Sequence, residues 1–300
     1  MTDQFRPVGW ESVRLEEVAA VNEALQQGEP TVDVAIYYPN NLDPRHHEKV
    51  NLDLLFEGFA NAKDIFATAG VQLRLVDVSS GPLDPSLFMI RASKPGRDLP
   101  MGHFTNMYTE AERHPSELTE EARRVFESVI GDVARSDRTV HIVVLQGVFI
   151  DHYDPVVETR VYQKQTIETS GLSFPGYMHG DRIPRPYRGV ITITNLRRTK
   201  DSWKTIAHEL GHKLMNVSHE HRDVSPAHEI QSDEGLMLYG AGTEIARGEE
   251  GRFHHERLHR SPFIYRESDG HREYNPDYLS GGFYYDPIYD GVSVMFAPEE

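Results

Sequence analysis

With 300 residues, the chain is long enough to bury a large core, as one two-lobed domain or two smaller ones. It contains no cysteine, which excludes disulfides, thiolate-bound zinc and thiol nucleophiles. Its 47 acidic and 31 basic residues give a formal charge of −16, which argues against nucleic acid as a partner, because that affinity comes mostly from neutralising phosphates.

No apolar run reaches the length needed to span a bilayer. The start, Met1-Thr2-Asp3-Gln4-Phe5-Arg6-Pro7, lacks the basic and apolar stretches of a secretory signal. The expectation is a cytoplasmic protein with no membrane partner. Its oligomeric state stays open.

In chain order, residues 10–27 read as an amphipathic helix, with Val13, Leu15, Val18, Ala19 and Leu25 apolar and Gly28 as a stop. Thr31 to Tyr38 alternates like a strand and ends at Pro39-Asn40. A long helix is predicted at 47–69, with Leu52, Leu55, Phe59, Ala62 and Phe66 on one side and Gly70 past its end. Val71 to Val78 alternates again, so this strand-helix-strand unit predicts a parallel crossover. Residues 80–115 read as loop, and Glu117 to Ile130 as helix. Thr139 to Ile150 reads as one strong strand rich in Val and Ile, and Arg160 to Glu168 as another. Residues 177–188 read as a loop leading into a strand at 189–195.

The next segment carries the chemistry. His208-Glu209-Leu210-Gly211-His212 is an HExxH pattern. Asp201 or Ser202 can cap a helix start there, and Trp203, Ile206, Ala207, Leu210, Leu214 and Met215 form an apolar stripe at helical spacing. Residues four apart share one helical face, so both imidazoles can reach one metal ion. Glu209 lies about 100° further round, where it can touch a metal-bound water as general base. The bland alternative is a buried helix with two surface histidines.

A catalytic zinc takes three protein ligands and keeps one position for water. On a continuing helix, His219 would sit about 10 Å along the axis from His212, out of reach. The chain must therefore turn, and Asn216 tolerates the left-handed conformation that ends helices.

From here the chain resembles the metzincin metallopeptidases, with the signature HExxHxxGxxH followed by a methionine-containing turn. The run His208 to His219 matches it once one inserted residue is allowed, with Asn216 in the glycine role and His219 as third ligand. His221, Glu220 and Asp223 are alternatives for that ligand. Gly235-Leu236-Met237-Leu238-Tyr239-Gly240 corresponds to the methionine turn. The resemblance implies that Met237 floors the metal site and that Tyr239 can ligate the metal and stabilise the oxyanion. A plain core methionine and a core or surface tyrosine are the alternatives. Gly171 to Gly176 resembles the strand that precedes the active-site helix in several metzincins. The resemblance spans residues 30–240, and its specific part is 205–240.

After the zinc helix, 218–235 reads as polar loop and 243–258 as one helix. From Ser261 onward the chain reads as an irregular tail packed by tyrosines, or one that partly lines the cleft. His254, His255 and His259 read as helix-surface residues.

The implied fold class is α/β (α+β) and metzincin-like. A twisted mixed sheet with two long helices forms an N-terminal lobe, an irregular helix-containing lobe follows, and zinc lies in the cleft between them. The predicted divisions are 1–29 as a helical extension, which could cover the cleft, 30–217 as the lobe with the active-site helix, and 218–300 as the second lobe. The implied function is a zinc-dependent endopeptidase acting on peptide or protein substrates, with one catalytic Zn2+ ion. One rival is a gluzincin-like peptidase with Glu229 as third ligand. The other is a catalytically inactive zinc-binding or regulatory protein.

Overall fold

The computed structural model describes residues 7–95, 116–131, 138–156, 159, 161–179, 183–197, 204–217, 235–237, 244–245, 248–276, 283–286 and 292–295. They form a mixed α/β fold around a twisted mixed sheet. Its parallel centre is β2 (Thr31–Pro39), β3 (Gln72–Gly81), β6 (Val140–Val144) and β10 (Val190–Ile193). β1 (Glu11–Ser12) adds antiparallel to β3 at one side, and β9 (Gly171–Leu172) adds antiparallel to β10 at the other. The spatial order is β1-β3-β2-β6-β10-β9.

The expected crossover is present. β2 and β3 pair in parallel through α2 (Leu52–Ala67). The helix starts later than the apolar pattern implied because Asn51 caps it, accepting from the Leu54 amide at 3.0 Å, while Pro44–Glu48 winds as a separate 3-10 turn. Gly70 lies just past its end with φ +73°, a conformation that costs glycine nothing.

Both faces of β6 and β10 are covered, which is why these two strands are apolar almost throughout, whereas β2 and β3 keep the alternation read from the sequence. Along β6 the period is two. Val140, Ile142 and Val144 join the core containing α2 and α5 (Thr205–Met215). Val143 and Leu145 join the opposite core, with α3 (Glu120–Ile130).

Other expectations change as well. Helix α1 spans only Leu15–Asn22, because Glu11 and Ser12 are taken up by pairing with Ser80 and Ser79. The run 139–150 is two strands in two sheets. The Leu145 amide still bonds Ile193 O at 3.1 Å, but those of Gln146 and Gly147 turn to Phe88 O. From there β7 (Gly147–Val156) joins a second sheet, ordered β5-β4-β7-β8, with β4 (Met89–Pro95), β5 (Ser116–Leu118) and β8 (Val161–Thr169). β4 lies in the stretch read as loop, where exposed Met89 and Arg91 flank buried Ile90 and Ala92 and blur the apolar signal. Within 177–188, read as loop, α4 (Gly176–His179) closes its single turn and a 3-10 turn spans Arg185–Tyr187.

The chain after 261 is more regular than expected. Beyond α6 (Gly248–His259), β11 (Ile264–Ser268) and β12 (His271–Tyr274) form a hairpin whose β11 pairs with the start of β2. Buried Asp33 ties it down. Its carboxylate accepts from Arg74 Nε and Nη2, Arg272 Nη1 and the Tyr265 hydroxyl, each at 2.8 Å. Arg272 also lies 4.7 Å over the Tyr265 ring. A second hairpin pairs β13 (Phe283–Asp286) with β14 (Val292–Met295). Among the described residues no helix is long and apolar enough to cross a membrane.

Candidate metal centre

Helix α5 carries the HExxH residues and is buried on nearly every side. Ile206, Ala207, Leu210, Leu214 and Met215 are buried, as the stripe predicts. The proposed capping residues Asp201 and Ser202, and Trp203, lie outside the described residues. Asn216 ends the helix in the left-handed conformation, φ 55° and ψ 50°, which is the role its residue type predicts.

That reversal has a direct consequence for the site. It brings Val217 O to 2.6 Å from His212 Nδ1, while Leu236 O, next to Met237, lies 2.9 Å from His208 Nδ1. A carbonyl can only accept, so each Nδ1 carries the hydrogen and each Nε2 carries the lone pair. The two rings stand 84° to one another with centroids 4.7 Å apart. Neither is a surface group: His212 is 5% exposed and His208 is partly buried. Burial holds both rings below the usual histidine range; Lys204 lowers His208 further, and a proton on His208 would disfavour one on His212. Both are therefore favoured in the neutral form, in which an imidazole has a lone pair to offer.

Glu209 is 7% exposed and lies against the edge strand. A Cβ added at Gly171 would fall 2.6 Å from Glu209 Cγ and Oε1. Glycine is thus required for β9 to pass this close to the carboxyl group. Burial raises the Glu209 carboxyl to about 8, opposed by Lys213 one helical turn on. Burial lowers Lys213 to about 7, opposed by Glu209. Lys213 is 2% exposed, and its Nζ donates to Phe174 O at 3.0 Å and Arg188 O at 2.5 Å. It thereby ties the segments after β9 and before β10 to the helix. Phe174 itself holds φ 50°, unusual for a buried aromatic residue.

Met237 is fully buried and packs on the helix backbone: a Cβ at Gly211 would meet its Sδ at 2.5 Å. The turn is held from the other side by Leu236 N donating to Glu244 O at 2.6 Å. Among the described residues no group of three or more His, Asp or Glu side chains gathers to hold a metal. His219 lies outside the described residues, as do Glu220, His221, Asp223, Glu229 and Tyr239.

Several contacts could not be read from spacing. The acceptor carbonyls of Val217 and Leu236 depend on backbone turns, and Gly171 meets Glu209 only through sheet pairing. Lys213 carried a signal, four residues after Glu209 on the same helical face. Of the C-terminal histidines, His254 is buried rather than on the helix surface, because α6 packs against α5. Burial, with Arg257 and His255 adding, pushes it down to about 3. His259 is exposed as expected, its Nε2 2.8 Å from Ala69 O.

A scan against protein-family models finds no match to this chain, and a search of curated proteins finds none either.

Proposed function

We propose that the chain is a zinc-dependent endopeptidase in which His208, His212 and His219 hold the metal and Glu209 is the general base. The observation that carries the reading is the pair of carbonyls on the two Nδ1 atoms. They fix each ring's tautomer and turn its lone pair to Nε2, the usual outer arrangement for metal-ligating histidine. Neutral imidazoles beside a buried carboxyl group suit a divalent cation, and the absence of cysteine suits a nitrogen-ligated one. A zinc ion held there supplies Lewis acidity towards water and a peptide carbonyl, and a positive charge that favours the carboxylate form of Glu209.

The chain's own groups do the rest. Glu209 takes a proton from the attacking water as its oxygen bonds to the carbonyl carbon. As the C–N bond breaks, Glu209 passes that proton to the departing nitrogen. Gly171 lets β9 lie against Glu209. β9 is the last strand of the sheet among the described residues. An extended peptide adding to that edge would run past the general base. Lys213 holds the following segment to the helix through Phe174 O. Met237 floors the helix at Gly211, and Tyr239 is assigned to the oxyanion.

The test is a peptide-library digest with and without chelator, using wild type and Glu209→Ala. Cleavage that is sensitive to chelator, and abolished in a variant that retains zinc, supports the reading. A variant cleaving at the wild-type rate contradicts it.

A further inference from the structure

Helix α6 packs against α5, and Arg257 reaches from its last turn to the end of the HExxH helix. Arg257 Nε donates to Met215 O and Nη2 to Asn216 O, both at 2.8 Å. The last carbonyls of a helix have no intrahelical partner, and a cation there also complements the helix dipole. Here the capped residues are the ones that reverse the chain. Asn216 sits at φ 55° and is buried. Asparagine tolerates this conformation, and the two donors on the flanking carbonyls hold the reversal from outside the helix. The next residue, Val217, supplies the carbonyl on His212 Nδ1.

We propose that Arg257 is a positioning residue for the metal centre: by clamping Met215 O and Asn216 O, it sets the chain reversal that brings Val217 O onto His212 and orients that ring. The metal half of this rests on the function proposed above. The half concerning His212 does not. Lysine cannot substitute, because one ammonium on a flexible stem does not reproduce two donors fixed in a plane.

The experiment uses the full chain as wild type, Arg257→Gln, Arg257→Lys and Leu258→Val. Leu258 is fully buried in the same turn, so its variant is a control for loss of stability without loss of the clamp. Two quantities are read: the imidazole Nδ1–H proton resonance of His212 in metal-free protein, and the affinity for Co2+ with its visible absorption spectrum. Both Arg257 variants should shift or broaden the resonance and weaken Co2+ about 10- to 100-fold, the usual cost of losing an outer-shell support. Leu258→Val should lower the melting temperature and change neither. Arg257 variants with wild-type resonance and affinity would overturn the proposal, and so would equal losses in Leu258→Val. If wild type bound no Co2+, the metal reading would fall, and the resonance would still decide whether Arg257 positions His212.

Discussion

Replacing Gly171 with alanine tests how closely the edge strand and the general base are fitted. The new methyl carbon would sit 2.6 Å from Glu209 Cγ and Oε1 and 2.8 Å from Cδ, where ordinary contact begins at 3.4 Å. The carboxyl group must retreat by about 0.8 Å. Glu209 can do so by rotating its side chain, so β9 and its pairing to β10 should survive, at a cost near the low end of the 1–3 kcal/mol usual for overpacking. Activity is far less tolerant. A misplacement of about 1 Å typically costs about 100-fold, or about 2.7 kcal/mol of barrier. The assay is kcat/KM on a peptide substrate, with zinc content and circular dichroism measured on the same sample. The expected variant is folded, fully zinc-loaded and about 100-fold slower. A variant within twofold of wild type would refute the placement of Glu209 at the reacting centre.

Asp33→Ala leaves Arg74, Arg272 and Tyr265 without their shared acceptor. With the arginines partly exposed and able to rehydrate, the loss should be about 2–3 kcal/mol, read by urea unfolding, with the β11–β12 hairpin the first part to exchange amide hydrogens. The metal-free protein should lose stability as pH falls through about 6.5. His46, His208, His212 and His254 are all held below their ordinary value chiefly by burial, so the unfolded state binds more protons there and stability rises with pH up to that point. Urea midpoints at pH 5 and 7.5 check this, and an equal midpoint at both would contradict it. Lys213→Met removes a positive charge that lowers the Glu209 carboxyl, so the rising limb of the pH–rate profile should move to higher pH. An unmoved limb would remove Lys213 from the electrostatics of the site.

The parallel crossover was legible because β2 and α2 obey their periods and end at Pro39-Asn40 and Gly70. So was the turn at Asn216, since a helix that must stop before His219 needs a residue tolerant of positive φ. The division of 139–150 was not, because an apolar run buried on two faces looks the same whichever sheet receives it. The C-terminal hairpin was hidden for another reason. It is held by an ion-pair and tyrosine cluster on Asp33 rather than by an apolar stripe, and a polar residue inside β2 gives no hint of three partners that come from elsewhere in the chain. At the site, the HExxH spacing gave the two imidazoles and the carboxylate. The parts that orient them are Val217 O, Leu236 O, Gly171 and Arg257. These are backbone groups or distant residues, which reach the helix only after the sheet and α6 have packed.

The central claim is that a single divalent cation is gripped by imidazoles from both sides of the bend at Asn216. Metal analysis of the purified chain beside His208→Ala, His212→Ala and His219→Ala tests it most directly. One zinc per wild-type chain, lost or weakened in each variant, is the expected result. A wild-type chain that takes up no zinc, or a His219→Ala variant that holds it as tightly as wild type, would contradict the claim.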